Sequence, residues 1–216
     1  MARLLFLISL LVVANSAVGQ DQQSFLGFNV FGLLNSTVQH REYNSKPICA
    51  ELVYQREIKA QGLYEISVGY DYLRGNFDQF ARDYHFNGFF SKGLIALTNT
   101  DKSAVLGIGG HLGFQNQSYH LIFEGERFGD YRRNFSSSGL SYGIFFRSGL
   151  RFKVSNGLML ASSLNLNISA ISELEEDEKV FRIAGTGPVN DKNFGRDHVS
   201  VKLQFNLFFS FKKKEN

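Results

Sequence analysis

The sequence predicts an all-β chain that closes as an eight-stranded antiparallel up-and-down barrel, and three features predict it. Eight stretches alternate bulky apolar residues with small or polar ones, which is the period of a strand. The connections between those stretches alternate short and long. The composition includes 22 Phe, 9 Tyr and 21 Gly against 2 Pro and no Trp, which suits strands and close packing.

The last stretch, 199–211, shows the pattern most clearly. Val199, Val201, Leu203, Phe205, Leu207, Phe209 and Phe211 share one parity, and Ser200, Lys202, Gln204, Asn206, Phe208 and Ser210 share the other. So much bulky apolar surface on one face does not suit open water, so it must meet a core or lipid.

From the start of the chain, residues 1–19 read as a cleaved signal peptide. Arg3 gives a positive start, residues 4–13 an apolar core, and Ala17-Val18-Gly19 a cleavage site before Gln20, with Ala14-Asn15-Ser16 as a second possible site. Residues 20–216 then form the barrel domain. Cys49 is the only cysteine, so no internal disulfide can form. The net charge of +3 gives no reason to expect a nucleic-acid partner.

Strands are predicted over 25–34, 47–58, 63–73, 84–97, 104–114, 140–154, 158–170 and 199–211. Pro47 suits a strand start. The pattern blurs at Lys92-Gly93, as a bulge would make it. Ser155-Asn156-Gly157 carries the Asn-Gly of a tight hairpin. Short turns are expected at 59–62, 98–103 and 155–157, and long loops at 35–45, 74–83, 115–138 and 171–196.

Alternation alone allows two barrels, a soluble calyx with an apolar inside or a membrane barrel with an apolar outside. Side-chain size favours the second. The polar parity carries Ser67, Gly69, Gly107, Gly109, Gly113, Ser141, Gly143, Gly149, Ser163 and Asn165, small residues that suit a narrow lumen. The stretches also reach the roughly 9–11 residues that cross a bilayer. The expected fold is thus a transmembrane β-barrel, with aromatic girdles near its rims. Tyr70, Tyr72, Tyr84, Phe86 and Tyr142 are expected near the outer rim, and Tyr54, Tyr64, Phe152, Phe209 and Phe211 near the inner one.

With its leader, amphipathic strands and terminal aromatic strand, the chain resembles the small outer-membrane barrels of Gram-negative bacteria, the OmpA-like transmembrane fold. It looks most like the outer-membrane β-barrel domain proteins of Bacteroidota. The resemblance implies a bacterial outer-membrane location, contact with outer-membrane lipid and lipopolysaccharide, and insertion by the outer-membrane assembly machinery. It also implies an assembly signal, which Gln204, Phe209 and Phe211 match, although Asn206 stands where glycine is usual and residues 212–216 extend beyond the final aromatic.

Candidate chemistry lies in the lumen. Glu51, Glu65, Asp71, Arg147, Arg151, Lys153 and Lys202 share the inner parity and are expected to pair, since isolated buried charges are costly. At least one of Glu51 and Glu65 is expected to pair with Arg147, Arg151 or Lys202, with Glu51–Arg147 as the specific pair that could meet across the narrow lumen. His198-Val199-Ser200 resembles the His-x-Ser of outer-membrane lipid A deacylases, but the expected acid partner would fall at Lys212, so no catalytic residue is assigned. The acidic run 173–178 does not have EF-hand spacing and reads as a solvated loop. No metal or cofactor is expected. The expected role is structural or surface-interacting, with a narrow channel for small solutes as the alternative and a lipocalin-like calyx as the third reading.

Overall fold

The computed structural model describes residues 23–30, 48–58, 61–75, 81–123, 131–172, 182–188 and 197–211. The leader, the first long loop, the acidic run 173–178 and the tail 212–216 lie outside the described residues. The elements are β1 (Ser24–Asn29), β2 (Ile48–Ile58), β3 (Gly62–Gly75), β4 (Ala81–Thr98), β5 (Ala104–Phe123), β6 (Tyr131–Lys153), β7 (Leu158–Ile171), β8 (Arg182–Ile183), β9 (Gly187–Pro188) and β10 (Asp197–Phe211). Eight of them close a barrel in the order β1-β10-β7-β6-β5-β4-β3-β2, while β8 and β9 pair only with each other. Every barrel pairing is antiparallel, and β1 closes the ring against β10 from Ser24↔Phe211 to Asn29↔Asn206.

Parity assigns the two faces. Leu106, Ile108, Leu112 and Phe114 of β5, Ile144 and Phe146 of β6, and Leu164, Leu166 and Ile168 of β7 are exposed on the outside, as are Val199, Val201, Leu203 and Phe205 of β10. Their neighbours on the other parity are buried or half-buried within the ring. The interior fills by size matching. Glycines on one strand receive aromatic rings from the next, so a Cβ at Gly27, Gly69 or Gly109 would collide with Phe208, Phe90 or Phe145 respectively.

Three expectations are corrected. The segment 115–138 is largely strand, since β5 runs 20 residues and β6 runs 23, with pairing from Ala104↔Leu150 to Phe123↔Tyr131. The apolar belt ends where Phe114 pairs with Leu140. Beyond it both faces carry polar residues, so the alternation that marks a half-apolar strand vanishes although the ladder continues. Asn116 Nδ2 donates to Asn87 Oδ1 at 3.2 Å, and His120 Nδ1 lies 2.6 Å from Asn134 Oδ1. Similarly, β3 and β4 extend into the predicted 74–83 loop.

The second correction concerns β4. Its irregularity lies between Arg82 and His85, where Asp83 has φ 50°, while Lys92↔His111 and Gly93↔Gly110 are in regular register. Tyr84 and Phe86 therefore point inward and are fully buried, not at the outer rim. Tyr84 donates to Gln117 Oε1 at 3.3 Å, and its ring lies 6.1 Å from that of Tyr119, which stacks on Phe135 at 5.0 Å.

The third correction concerns the last long connection. Residues 182–188, predicted as loop, form the small β8–β9 hairpin. Ile183, Ala184 and Thr186 are fully buried inside the barrel.

Candidate functional site

Inward parity on β1, β2, β3, β4, β6, β7 and β10 brings a belt of polar side chains together at mid-lumen. Glu51 of β2 is one centre. Its Oε1 accepts from Ser67 Oγ at 2.7 Å and Lys92 Nζ at 3.3 Å. Its Oε2 accepts from Asn29 Nδ2 at 3.3 Å and Gln204 Nε2 at 3.2 Å, with Lys202 Nζ at 3.7 Å. Arg147 of β6 is the other centre. It pairs with Glu65 Oε1 at 2.5 Å and donates to Asn165 Oδ1 at 2.7 Å and Gln204 Oε1 at 3.3 Å. Glu65 thus meets Arg147, and Glu51 meets Lys92 with Lys202 beside it, while Glu51 and Arg147 form no direct ion pair among the described residues. Gln204 joins the two centres, donating to one and accepting from the other.

The remaining lumen charges sit toward the two ends. Arg151 Nη2 pairs with Glu57 Oε1 at 3.0 Å near the short turns, and Lys102 Nζ takes Oε2 at 2.5 Å. Lys153 is exposed at that same mouth and joins no pair of the belt. Asp71 is fully buried toward the long-connection end, where its Oδ2 accepts from Gly185 N at 3.3 Å. Four buried acids, Glu51, Glu57, Glu65 and Asp71, thus face three buried bases, Lys92, Arg147 and Arg151, and the half-buried Lys202. Balanced pairing with further hydrogen bonds is what a buried charge requires. In the exposed turn, Ser103 Oγ at 2.8 Å and Ser103 N at 3.2 Å donate to Asp101 Oδ1 and hold its carboxyl below the ordinary aspartate range.

The turn between β8 and β9 plugs the lumen above the belt. Gly185 O accepts from Lys202 Nζ at 3.1 Å, Ala184 N donates to Gln115 Oε1 at 3.0 Å, and Ser200 Oγ donates to Thr186 O at 3.4 Å. Gly185 has φ +78°, and a Cβ there would lie 2.5 Å from Phe90 Cδ2. Gly185→Val therefore meets both a backbone penalty of about 1–3 kcal/mol and a ring. The expected result is release of the turn, read as new protease cleavage near residue 185 while the barrel stays folded. Unchanged protection would show that these contacts do not hold the plug.

Among the sequence-selected aromatics, Tyr142, Phe152, Phe209 and Phe211 are exposed on the outer face, and Tyr54, Tyr64, Tyr70 and Tyr72 are half-buried there. Tyr70 packs on Phe89 at 4.8 Å and Tyr54 on Tyr64 at 6.1 Å. Of the assembly-signal residues, Gln204 is fully buried at the centre of the belt. His198 and Ser200 both face the lumen, where Asn167 Nδ2 donates to Ser200 Oγ at 3.3 Å. Among the described residues, no group of three or more His, Cys, Asp and Glu is placed to hold a metal ion.

Sequence reasoning passed over Lys92, Glu57 and the plug. Glu57 continues the parity of Glu51 and could have been found by extending that row. Lys92 is the lone charge in the run 84–97, apart from its ends a signal of a buried functional or structural charge. The turn 183–186 carries no apolar period that would distinguish it from a solvated loop. No known family model matches the chain, and no curated protein sequence is significantly similar to it.

Proposed function

We propose that this chain is an exported outer-membrane β-barrel with a structural or surface-interacting role and a lumen closed to bulk flow. The observation that carries the reading is the inverted distribution of polarity. A continuous belt of exposed Leu, Ile, Val and Phe surrounds a ring whose interior holds paired charges. Water would penalise such an outer surface, whereas hydrocarbon favours it and requires the closed ladder that the strands make. A calyx for an apolar ligand would need the opposite arrangement.

Closure is supported by the belt, in which side chains from seven strands meet, and by the turn 183–186 packed above it. A conducting path would have to break several charge-assisted hydrogen bonds. In this reading the short turns and the two chain ends of the barrel, at Ser24 and Phe211, face the periplasm. The polar extensions of β4, β5 and β6 stand beyond the membrane on the outer side, where lipopolysaccharide or a surface partner would meet them. The likeness to OmpA-type and Bacteroidota barrels, the cleaved leader and delivery by the assembly machinery belong to the same proposal.

Membrane fractionation with gel migration before and after boiling tests it. The protein is expected in the outer-membrane fraction, migrating faster unboiled than boiled, with no resolved conductance steps in planar bilayers. Recovery in the soluble periplasmic fraction would favour the calyx, and steady conductance steps would favour the channel.

A further inference from the structure

A cavity of about 310 Å³ opens at the short-turn end, lined by Gln23, Phe25, Glu57, Lys102, Arg151 and Lys153 with parts of the neighbouring turns. Its acceptors are already engaged. Glu57 Oε1 takes Arg151 and Oε2 takes Lys102, while Asp101 Oδ1 takes both donors of Ser103.

Its donors are in surplus. Among the described residues, Arg151 Nη1 is buried without a hydrogen-bond partner. Arg151 Nε donates to the Met159 thioether at 3.2 Å, a weak acceptor. Lys153 is exposed and forms no ion pair among the described residues. Three cationic side chains, Lys102, Arg151 and Lys153, thus stand against the carboxylates of Glu57 and Asp101.

We propose that this mouth is a binding site for an oxyanion, a carboxylate or phosphate, seated between Arg151 and Lys153. A guanidinium forks naturally onto such a group, and ionised partners make the stronger hydrogen bonds. A cation would meet three cationic side chains against two carboxylates, of which Glu57 is already ion-paired, and an apolar ligand would leave the buried Nη1 without a partner. Set against the roughly 30 Å³ that one water occupies in the liquid, the cavity admits an oxyanion on a short organic stem and excludes a folded partner. The inference needs the barrel but not its membrane assignment.

The test uses the full chain refolded in non-ionic micelles and titrated with sodium phosphate, then separately with sodium acetate, at constant ionic strength. The amide shifts of Ser155, Asn156 and Gly157 are the readout. Saturable shifts are expected, and Lys153→Ala should weaken phosphate binding about tenfold, the loss of one charge-assisted hydrogen bond. Arg151→Lys retains a cation opposite Glu57 while removing the fork, and should weaken binding comparably. Faster migration of the unboiled sample verifies that each variant is folded. Shifts that rise without saturating, or that Lys153→Ala leaves unchanged, overturn the site. Nanodiscs identify the source of the anion. If phosphatidylglycerol blocks the phosphate response and phosphatidylcholine does not, an anionic lipid headgroup occupies the mouth; a response retained in both assigns it to a free solute.

Discussion

Arg147→Met should destabilise the barrel by about 3–5 kcal/mol, the cost of leaving one partner of a buried ion pair uncompensated. The guanidinium serves Glu65 Oε1, Asn165 Oδ1 and Gln204 Oε1 together, so its removal leaves three buried acceptors short of a donor. Glu65→Gln alone should also be costly. The double variant should lose less than the sum of the two, with a coupling of roughly 0.5–3 kcal/mol. Urea unfolding midpoints in detergent or vesicles measure all three. Lys102→Ala is the contrast. Its side chain is 48 % exposed and Glu57 keeps Arg151, so the change should stay below about 1 kcal/mol. Strict additivity of the Glu65 and Arg147 changes would mean that the two groups do not act as a pair.

What was legible in the sequence is what obeys a period of two. On β10, β7 and the belt portion of β6, every second residue is bulky and apolar apart from small ones such as Ser148 and Ser162, so parity alone assigns outside and inside, and Lys202 and Arg147 fall inward. Parity fails where both faces have the same character. Along β4 the inward row includes Tyr84, Phe86, Phe90 and Leu94 and the outward row includes Phe89, Ile95 and Leu97, so bulky apolar residues stand on both faces. Only the inward Lys92 marks the register there, and the irregularity of the strand lies between Arg82 and His85. On the far portions of β5 and β6 both rows are largely polar, and strand reads as loop. Pairing within the lumen is illegible for another reason. Parity puts Glu51, Glu65, Lys92 and Arg147 on one face, but their height and angle around the ring decide who meets whom. Those depend on strand stagger, which no single strand records. The turn 183–186 is held by tertiary contacts to Gln115, Asp71 and Lys202 from three other strands, so its own sequence does not announce it.

Leu203→Arg should cost roughly 2–4 kcal/mol if the outer belt faces hydrocarbon, because a cation near the bilayer midplane loses its hydration. Leu203 suits the test because it lies mid-strand on β10, pairs directly with Leu164 of β7, and is 53 % exposed on the outer face. The same change on a water-facing surface would fall within about 0.5 kcal/mol, so the size of the effect distinguishes lipid from water. Leu203→Ala, which adds no charge, should cost less than Leu203→Arg in vesicles. Lys202→Ala, one residue away, acts on the opposite face. It frees Gly185 O and removes one of the two cations beside Glu51, so its effect should appear in plug protection rather than in membrane insertion. Refolding yield and urea midpoints in phospholipid vesicles, with proteolysis near residue 185, separate the two outcomes. If Leu203→Arg refolds into vesicles as stably as the unaltered chain, the outer belt does not face hydrocarbon and the membrane reading fails. If it is severely destabilised while Lys202→Ala alters only the plug, the two faces of β10 perform the separate tasks that their parity assigns.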